Sequence, residues 1–194
     1  MKPYISILIC TVFFALMSAG CSTAVKEIQM KSQSERTDIF IEVKDGEPVP
    51  EGFVDLMITA DIKTPLAGYY SLESKKSVNG KPEYPFLINV DGQAVIWKAD
   101  GVRDGKTGSG PEAREGMKYT LSKKVRLLAG PHRIFFGLPE ENYYSTVDIT
   151  LKVGESSLIE YEPVYRYKRS PTRIPTFLKG INRYKVFLNG TQIR

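Results

Sequence analysis

The 194-residue chain reads as an all-β protein, and three observations carry that prediction. In "TVDITLKV" (146–153), Val147, Ile149, Leu151 and Val153 fall on one face while Asp148, Thr150 and Lys152 fall on the other, the period-two pattern of a half-buried strand. Short β-branched runs recur between turn signals, the clearest being Asp91-Gly92 and Gly154-Glu155-Ser156. After residue 30 no long stretch keeps a helical period, so many short strands at regular spacing predict a single sandwich-like or open-barrel domain.

Taken in order, "DIFIEV" (38–43) is rich in β-branched residues and stops at Asp45-Gly46. "FVDLMITADI" (53–62) mixes alternation with an apolar run. "PFLINVDGQAVIW" (85–97) holds two strand pieces around Asp91-Gly92, a two-residue hairpin signal. "KYTLSKKVRLL" (118–128), "HRIFFGL" (132–138), "STVDITLKV" (145–153) and "SLIEYEPVY" (157–165) follow, and "KVFL" (185–188) reads as a last strand. "GVRDGKTGSGPEAREG" (101–116), with five glycines, is predicted as the longest loop. With 42% hydrophobic and 25% charged residues, the composition is that of a globular chain and not of a disordered one.

The N-terminus follows a different rule. Residues 2–20, "KPYISILICTVFFALMSAG", have a basic start at Lys2, an apolar core from Tyr4 to Met17 and small residues at the end, the build of a secretory signal peptide. The run is short for a membrane-spanning helix, which needs about 20 apolar residues. Cys10 would leave with the signal and Cys21 would remain alone, with no partner for an internal disulfide. A free thiol in an oxidising compartment is a liability, so some chemistry is expected to occupy it.

Met17-Ser18-Ala19-Gly20-Cys21 resembles the lipobox of bacterial lipoproteins. In that family a peptidase cuts before the cysteine once its thiol carries a diacylglyceryl group. Ser18 stands where the family usually has Leu, with Leu16 upstream, while Ala19 and Gly20 match. The resemblance implies a lipid attached at Cys21, with fatty acyl chains such as palmitate. Each buried methylene is worth about 0.8 kcal/mol, so two or three chains anchor firmly where one holds marginally. Ser22 in place of Asp resembles the enteric pattern for lipoproteins sent to the outer membrane of Gram-negative bacteria. Residues 21–37 are then a polar tether, with a short amphipathic helix from Ala24 to Met30 as the alternative.

"VRLLAGPHRIFFGLPEENYYSTVDITLKVGESSLIEY" (125–161) resembles the C-terminal half of PEGA-type modules: strand, Gly-Pro turn, His-x-hydrophobic, aromatic-containing loop, then a strand ending in Gly-Glu. "NVDGQAV" (89–95) corresponds to that family's Asp-Gly hairpin. The literal Pro-Glu-Gly-Ala tetrapeptide is absent. The resemblance implies a small immunoglobulin-like or PEGA-like β-sandwich of the cell envelope, without a stated activity. The expected organisation is a signal peptide (1–20), a lipidated tether (21–37), a β-sandwich domain (38–165) and a basic C-terminal extension with one last strand (166–194).

No catalytic constellation stands out. A single histidine, His132, excludes a zinc site built from several histidines and any histidine pair. It begins a strand after Gly130-Pro131, where packing against a turn explains it. "GVRDGKT" falls short of a phosphate-binding loop, because Asp100 stands where the first glycine belongs and no helix is expected to follow. Glu112, Glu115, Glu140, Glu141, Glu155 and Glu160 could supply the carboxylate pair of a glycosidic hydrolase only if held at a set separation. No metal and no cofactor is expected.

Charge is uneven. Losing Lys2 with residues 1–20 takes the net charge from +5 to +4. After Glu162 there is no acidic residue, while Arg166, Lys168, Arg169, Arg173, Lys179, Arg183, Lys185 and Arg194 follow, interleaved with Tyr165, Tyr167, Phe177, Tyr184 and Phe187. The first seven of these basic residues are the candidates for binding an anionic surface, an attraction screened within about 8–10 Å by salt. An envelope address excludes nucleic acid and points to anionic lipid, lipopolysaccharide or an envelope protein partner. Solvated charges blunting a sheet edge are the plain alternative. The expected function is a membrane-anchored, non-enzymatic binding or assembly module. The alternatives are a structural accessory lipoprotein of a surface machine, or a carboxylate-based envelope hydrolase.

Overall fold

The computed structural model describes residues 19–74, 77–106, 109–167 and 175–194. The described residues form ten strands: β1 (Phe40–Glu42), β2 (Phe53–Thr64), β3 (Glu83–Val90), β4 (Gln93–Lys106), β5 (Arg114–Leu128), β6 (Gly130–Leu138), β7 (Tyr143–Leu151), β8 (Ser157–Tyr165), β9 (Ile181–Leu188) and β10 (Thr191–Gln192). They join in one sheet, in the order β10-β9-β8-β2-β5-β4-β3-β6-β7, with β1 paired to β5. All pairings are antiparallel except β2 with β8.

The fold is all-β. Its sheet is continuous and curled, where a sandwich has two separate sheets, and β4 makes the bend. Residues 93–100 of β4 pair with β3, whereas residues 101–106 pair with β5. One long strand thus serves both halves, as in corners where a strand switches sheets. The halves meet across a shared core: Phe136 of β6 stacks on Tyr161 of β8 at 4.1 Å, and Tyr84 of β3 lies 5.2 Å from Tyr119 of β5. Alternation in β2 sends Val54, Leu56, Ile58, Ala60 and Ile62 into that core. Apolar burial of this kind is the main force holding such a sheet closed.

The hairpin at Asp91-Gly92 forms as predicted, with φ of 47° and 97° at its two turn residues, the positive values of a type I′ turn. Three expectations change. The glycine-rich 101–116 segment is mostly strand, because β4 runs on to Lys106 and β5 starts at Arg114. The longest connector among the described elements is instead 65–82. The last strand expected at 185–188 is longer, since β9 starts at Ile181, pairs along β8 and buries Ile181, Tyr184 and Val186 in the core.

Residues 21–37, expected as a tether, hold most of a helix, α1 (Ala19–Lys31), whose Ile28 packs on Leu87 and Phe135 on the outer face of the sheet. Ala24, Val25 and Ile28 lie on one helical stripe, and strong helix formers surround them. Residues 1–18, with most of the signal-peptide reading, lie outside the described residues, as do the side chains of residues 19–22, including Cys21.

The sheet has two unlike ends. Tight turns close one end at 91–92, 152–156 and 189–190. That end also carries the connector 43–52, and the other carries the connectors 65–82, 107–113 and 166–180 with the short turn 139–142.

Candidate functional site

The long-loop end is organised around Lys63. It follows Ile62 on β2 and points to the face opposite Ile58, Ala60 and Ile62, yet its side chain is fully enclosed. Its Nζ donates to Asp104 Oδ2 at 2.8 Å and to the carbonyls of Glu112 at 2.9 Å and Arg114 at 2.8 Å. All three protons of the ammonium are used, which is what a charge withdrawn from water requires. The Phe177 ring lies 5.0 Å below the same nitrogen.

The Tyr165 hydroxyl accepts from the Lys63 backbone N–H at 2.9 Å and donates to Glu112 Oε1 at 3.1 Å. Burial first, and the Glu112 charge second, hold this phenol well above its ordinary range. Gly116 makes the packing possible, because a Cβ there would lie 2.7 Å from the Thr64 carbonyl and 2.8 Å from Phe177. The knot therefore ties β2, the β4–β5 hairpin and the 166–180 connector together.

Above the knot lies a hollow of about 370 Å³ walled by Thr64, Tyr70, Glu141, Phe177 and Lys179. A second hollow of about 430 Å³ shares Tyr70 and Glu141 and adds Leu72, Glu73 and Glu140. Burial raises the Glu141 carboxyl above its usual range, against the pull of the Ile181 backbone N–H and the Arg166 charge. The Tyr70 hydroxyl donates to the Leu178 carbonyl and the Phe177 N–H to the Pro111 carbonyl at 3.0 Å, so three connectors are bonded into one platform. Within 65–82 the chain crosses itself at Gly80, where φ is 62° and a Cβ would meet the Ala67 nitrogen at 2.1 Å; only glycine fits.

A larger hollow, about 650 Å³, lies on the outer face beside the end of α1. Lys31 lines it, Arg133 pairs with Asp148 at 2.7 Å, and His132 Nδ1 is hydrogen-bonded to Asp91 at 2.7 Å. His132 Nε2 faces the Leu128 carbonyl at 2.8 Å, so this ring bridges the 91–92 turn and the end of β5. That is the turn-packing role the sequence suggested.

The basic candidates separate in space. Arg166 donates from Nε to the Ile181 carbonyl at 2.8 Å, and Lys179 ends the short turn Phe177–Lys179 beside the first hollow. Both belong to the long-loop end. Arg183 and Lys185 lie on β9, opposite Val164 and Glu162 of β8. Lys168, Arg169 and Arg173 lie outside the described residues.

Of the acidic candidates, Glu140 and Glu141 come together, with Glu73, on the second hollow, and the others lie apart. Glu115 pairs with Arg103 at 3.0 Å, Glu155 lies 4.0 Å from Lys152, and Glu160 stands across from Phe187. Among the described residues no three His, Cys, Asp or Glu side chains converge on a possible ion site. Sequence reasoning missed Lys63, because a lysine on the polar face of an alternating strand reads as solvated. It also passed over Tyr69, Tyr70 and Leu72, for which "GYYSLESKK" offered a compositional signal.

The class defined by fold and site is an all-β domain with a curled mixed sheet and a connector platform at one end. No family model, no curated protein and no solved structure matches the chain.

Proposed function

We propose that the chain is a lipid-anchored protein of the cell envelope, most simply of a Gram-negative outer membrane, acting as a non-enzymatic binding or assembly module. One observation carries the reading: the lone Cys21 directly after an apolar run and the small pair Ala19-Gly20. Acylation accounts for the thiol, for the small residues before it and for the polar residues after it. The pairing of Arg133 with Asp148 and of His132 with Asp91 in the hollow beside α1 ties up groups that a hydrolytic site would need, which favours binding over turnover. The basic residues Arg166, Lys168, Arg169, Arg173 and Lys179 supply long-range attraction to an anionic surface.

The test is incorporation of labelled fatty acid by the full chain in a Gram-negative host. Label on the native chain and none on Cys21→Ser, which should leave the membrane fraction, is the expected result. A Cys21→Ser chain that still takes label and sediments with membranes overturns the reading. Replacing Arg166, Lys168, Arg169 and Arg173 by Gln is expected to weaken association with anionic vesicles at low salt while thermal unfolding stays cooperative; unchanged binding removes the basic segment from the account.

A further inference from the structure

The sheet has two edges, and they are not alike. Along β9 the Val186 N–H goes to the Arg194 carbonyl at 3.0 Å, the Val186 carbonyl takes the Ile193 N–H at 2.8 Å, and the Tyr184 N–H goes to the Tyr143 hydroxyl at 2.9 Å. The last residues of the chain thus shield that edge. At the other edge, β7 pairs with β6 and, among the described residues, with no further strand.

Arg133 shows which way the β7 backbone faces. Its N–H donates to Asp91 Oδ1 at 2.9 Å and its carbonyl accepts from the Asp91 N–H at 3.2 Å, so both turn away from Asp148, its opposite number on β7. Bonded and non-bonded pairs alternate along an antiparallel ladder. Tyr144, Thr146, Asp148 and Thr150 therefore aim their N–H and C=O groups at the open edge. Pro131, which has no N–H to give, stands opposite Thr150 in agreement. Of these groups only the Thr146 carbonyl has a partner among the described residues, Arg194 Nη1 at 2.8 Å.

Natural proteins blunt an open edge with Pro, Lys, a bulge or a very short strand. β7 has nine residues, none of them Pro, Gly or Lys, and follows β6 without a register shift. Its one charged side chain, Asp148, is held by Arg133. An edge left in this state is a template for another extended chain.

The residues along it match their own copy. In a two-fold antiparallel pairing the central residue meets itself, and residues equally far on either side meet each other. Centring on Asp148 sets two carboxylates face to face, while centring on Thr146, Val147 or Ile149 calls on the Thr146 backbone that Arg194 already holds. Centring on Thr150 avoids both. Asp148 then stands opposite Lys152 of the second copy, twice over, and Ile149 opposite Leu151. The Asp148 and Lys152 side chains are 69% and 73% exposed, and Val153, 61% exposed, falls opposite Val147.

We infer that β7 pairs with β7 of a second copy of this chain, antiparallel about a two-fold axis at Thr150, joining two curled sheets into one. Backbone bonds between the two Thr150 residues, and from the Lys152 N–H to the Asp148 carbonyl, hold the strands together. The two Asp148–Lys152 pairs fix the register, since opposite charges across a strand pair stabilise it and like charges oppose it. The contact is isologous, so it closes at two chains.

The test is sedimentation equilibrium of the full chain in a density-matched detergent over a range of protein concentrations. The native chain is expected to reach a dimer. Lys152→Asp sets like charges across the axis twice and is expected to raise the dimer dissociation constant about tenfold or more. Asp148→Lys should do the same with the opposite sign. Mixing the two variants restores both pairs of opposite charge, so the mixture should associate as the native chain does while each variant alone stays weak. Thr150→Pro removes the central donor without taking a bond from β6, and is expected to abolish the dimer while circular dichroism stays native. A native chain that is monomeric at every concentration overturns the pairing, as does a dimer that all three variants leave unmoved. A mixture no tighter than its components overturns the Thr150 register.

Discussion

At the tight-turn end, the Arg126 guanidinium grips Asp55 with Nε at 2.7 Å and Nη2 at 3.1 Å, and donates to the Pro48 and Glu47 carbonyls at 2.9 and 3.2 Å. At the long-loop end, Lys63 grips Asp104 and two carbonyls. Both ends thus fasten an irregular segment to the β2–β5 pair with one cation, one carboxylate and two carbonyls. The difference is cover. Arg126 reaches out from the sheet to hold 43–52 and keeps 7% of its side chain in water, whereas Lys63 is sealed under Phe177 and the β4–β5 hairpin. A guanidinium suits the rim, because its planar fork matches a carboxylate in two places. A compact ammonium suits the sealed knot, since its three protons match three acceptors arranged around one point.

The contrast can be broken by mutation. Lys63→Met should have the largest effect, a loss of about 3–5 kcal/mol in urea unfolding, because it leaves a carboxylate and two enclosed carbonyls without their donor. Arg126→Met should cost less, since 43–52 can peel away and let Asp55 hydrate; limited proteolysis within 43–52 is the readout. If the two losses are equal, enclosure is not what separates the ends. Tyr165→Phe should cost about 1 kcal/mol, the net worth of a typical hydrogen bond, by the same unfolding assay.

The smallest effect is expected at Glu141, and it should depend on pH. Its carboxyl is raised in the folded state, so the native protein holds this proton more tightly than the unfolded chain. Stability from this group is full below the ordinary glutamate range and declines as pH rises through it towards the raised folded value. Glu141→Gln should therefore raise Tm by about 2–4 °C at neutral pH, on the order of 1 kcal/mol for a domain of this size. It should change Tm little near pH 4, and an equal gain at both pH values would show that something other than ionisation was relieved.

Much of the sheet was legible. Alternation in 146–153 and 53–62, and the Asp91-Gly92 pair, are local signals that strands and hairpins need, and those elements lie where the residues put them. The 101–116 segment misled because its glycines signal loop. Gly101 and Gly116 are in fact strand positions where neighbouring side chains press on the backbone: a Cβ at Gly101 would lie 2.7 Å from the Tyr119 ring. The segment at 65–82 was legible only as a gap between strands. Its crossing at Gly80 joins residues thirteen positions apart within the segment, and its bond from Tyr70 to Leu178 depends on a connector about a hundred residues away.

By itself the sequence determined the all-β class, the main strands and the uneven charge along the chain, because period, turn chemistry and composition are properties of neighbours. Tertiary structure alone decided that a single sheet curls through β4, that Lys63 is sealed while Arg183 is exposed, and that α1 packs through Ile28 on the outer face of the sheet. Those outcomes arise from contacts between residues far apart in the chain. No local pattern records which polar side chain will be covered when distant segments close over it.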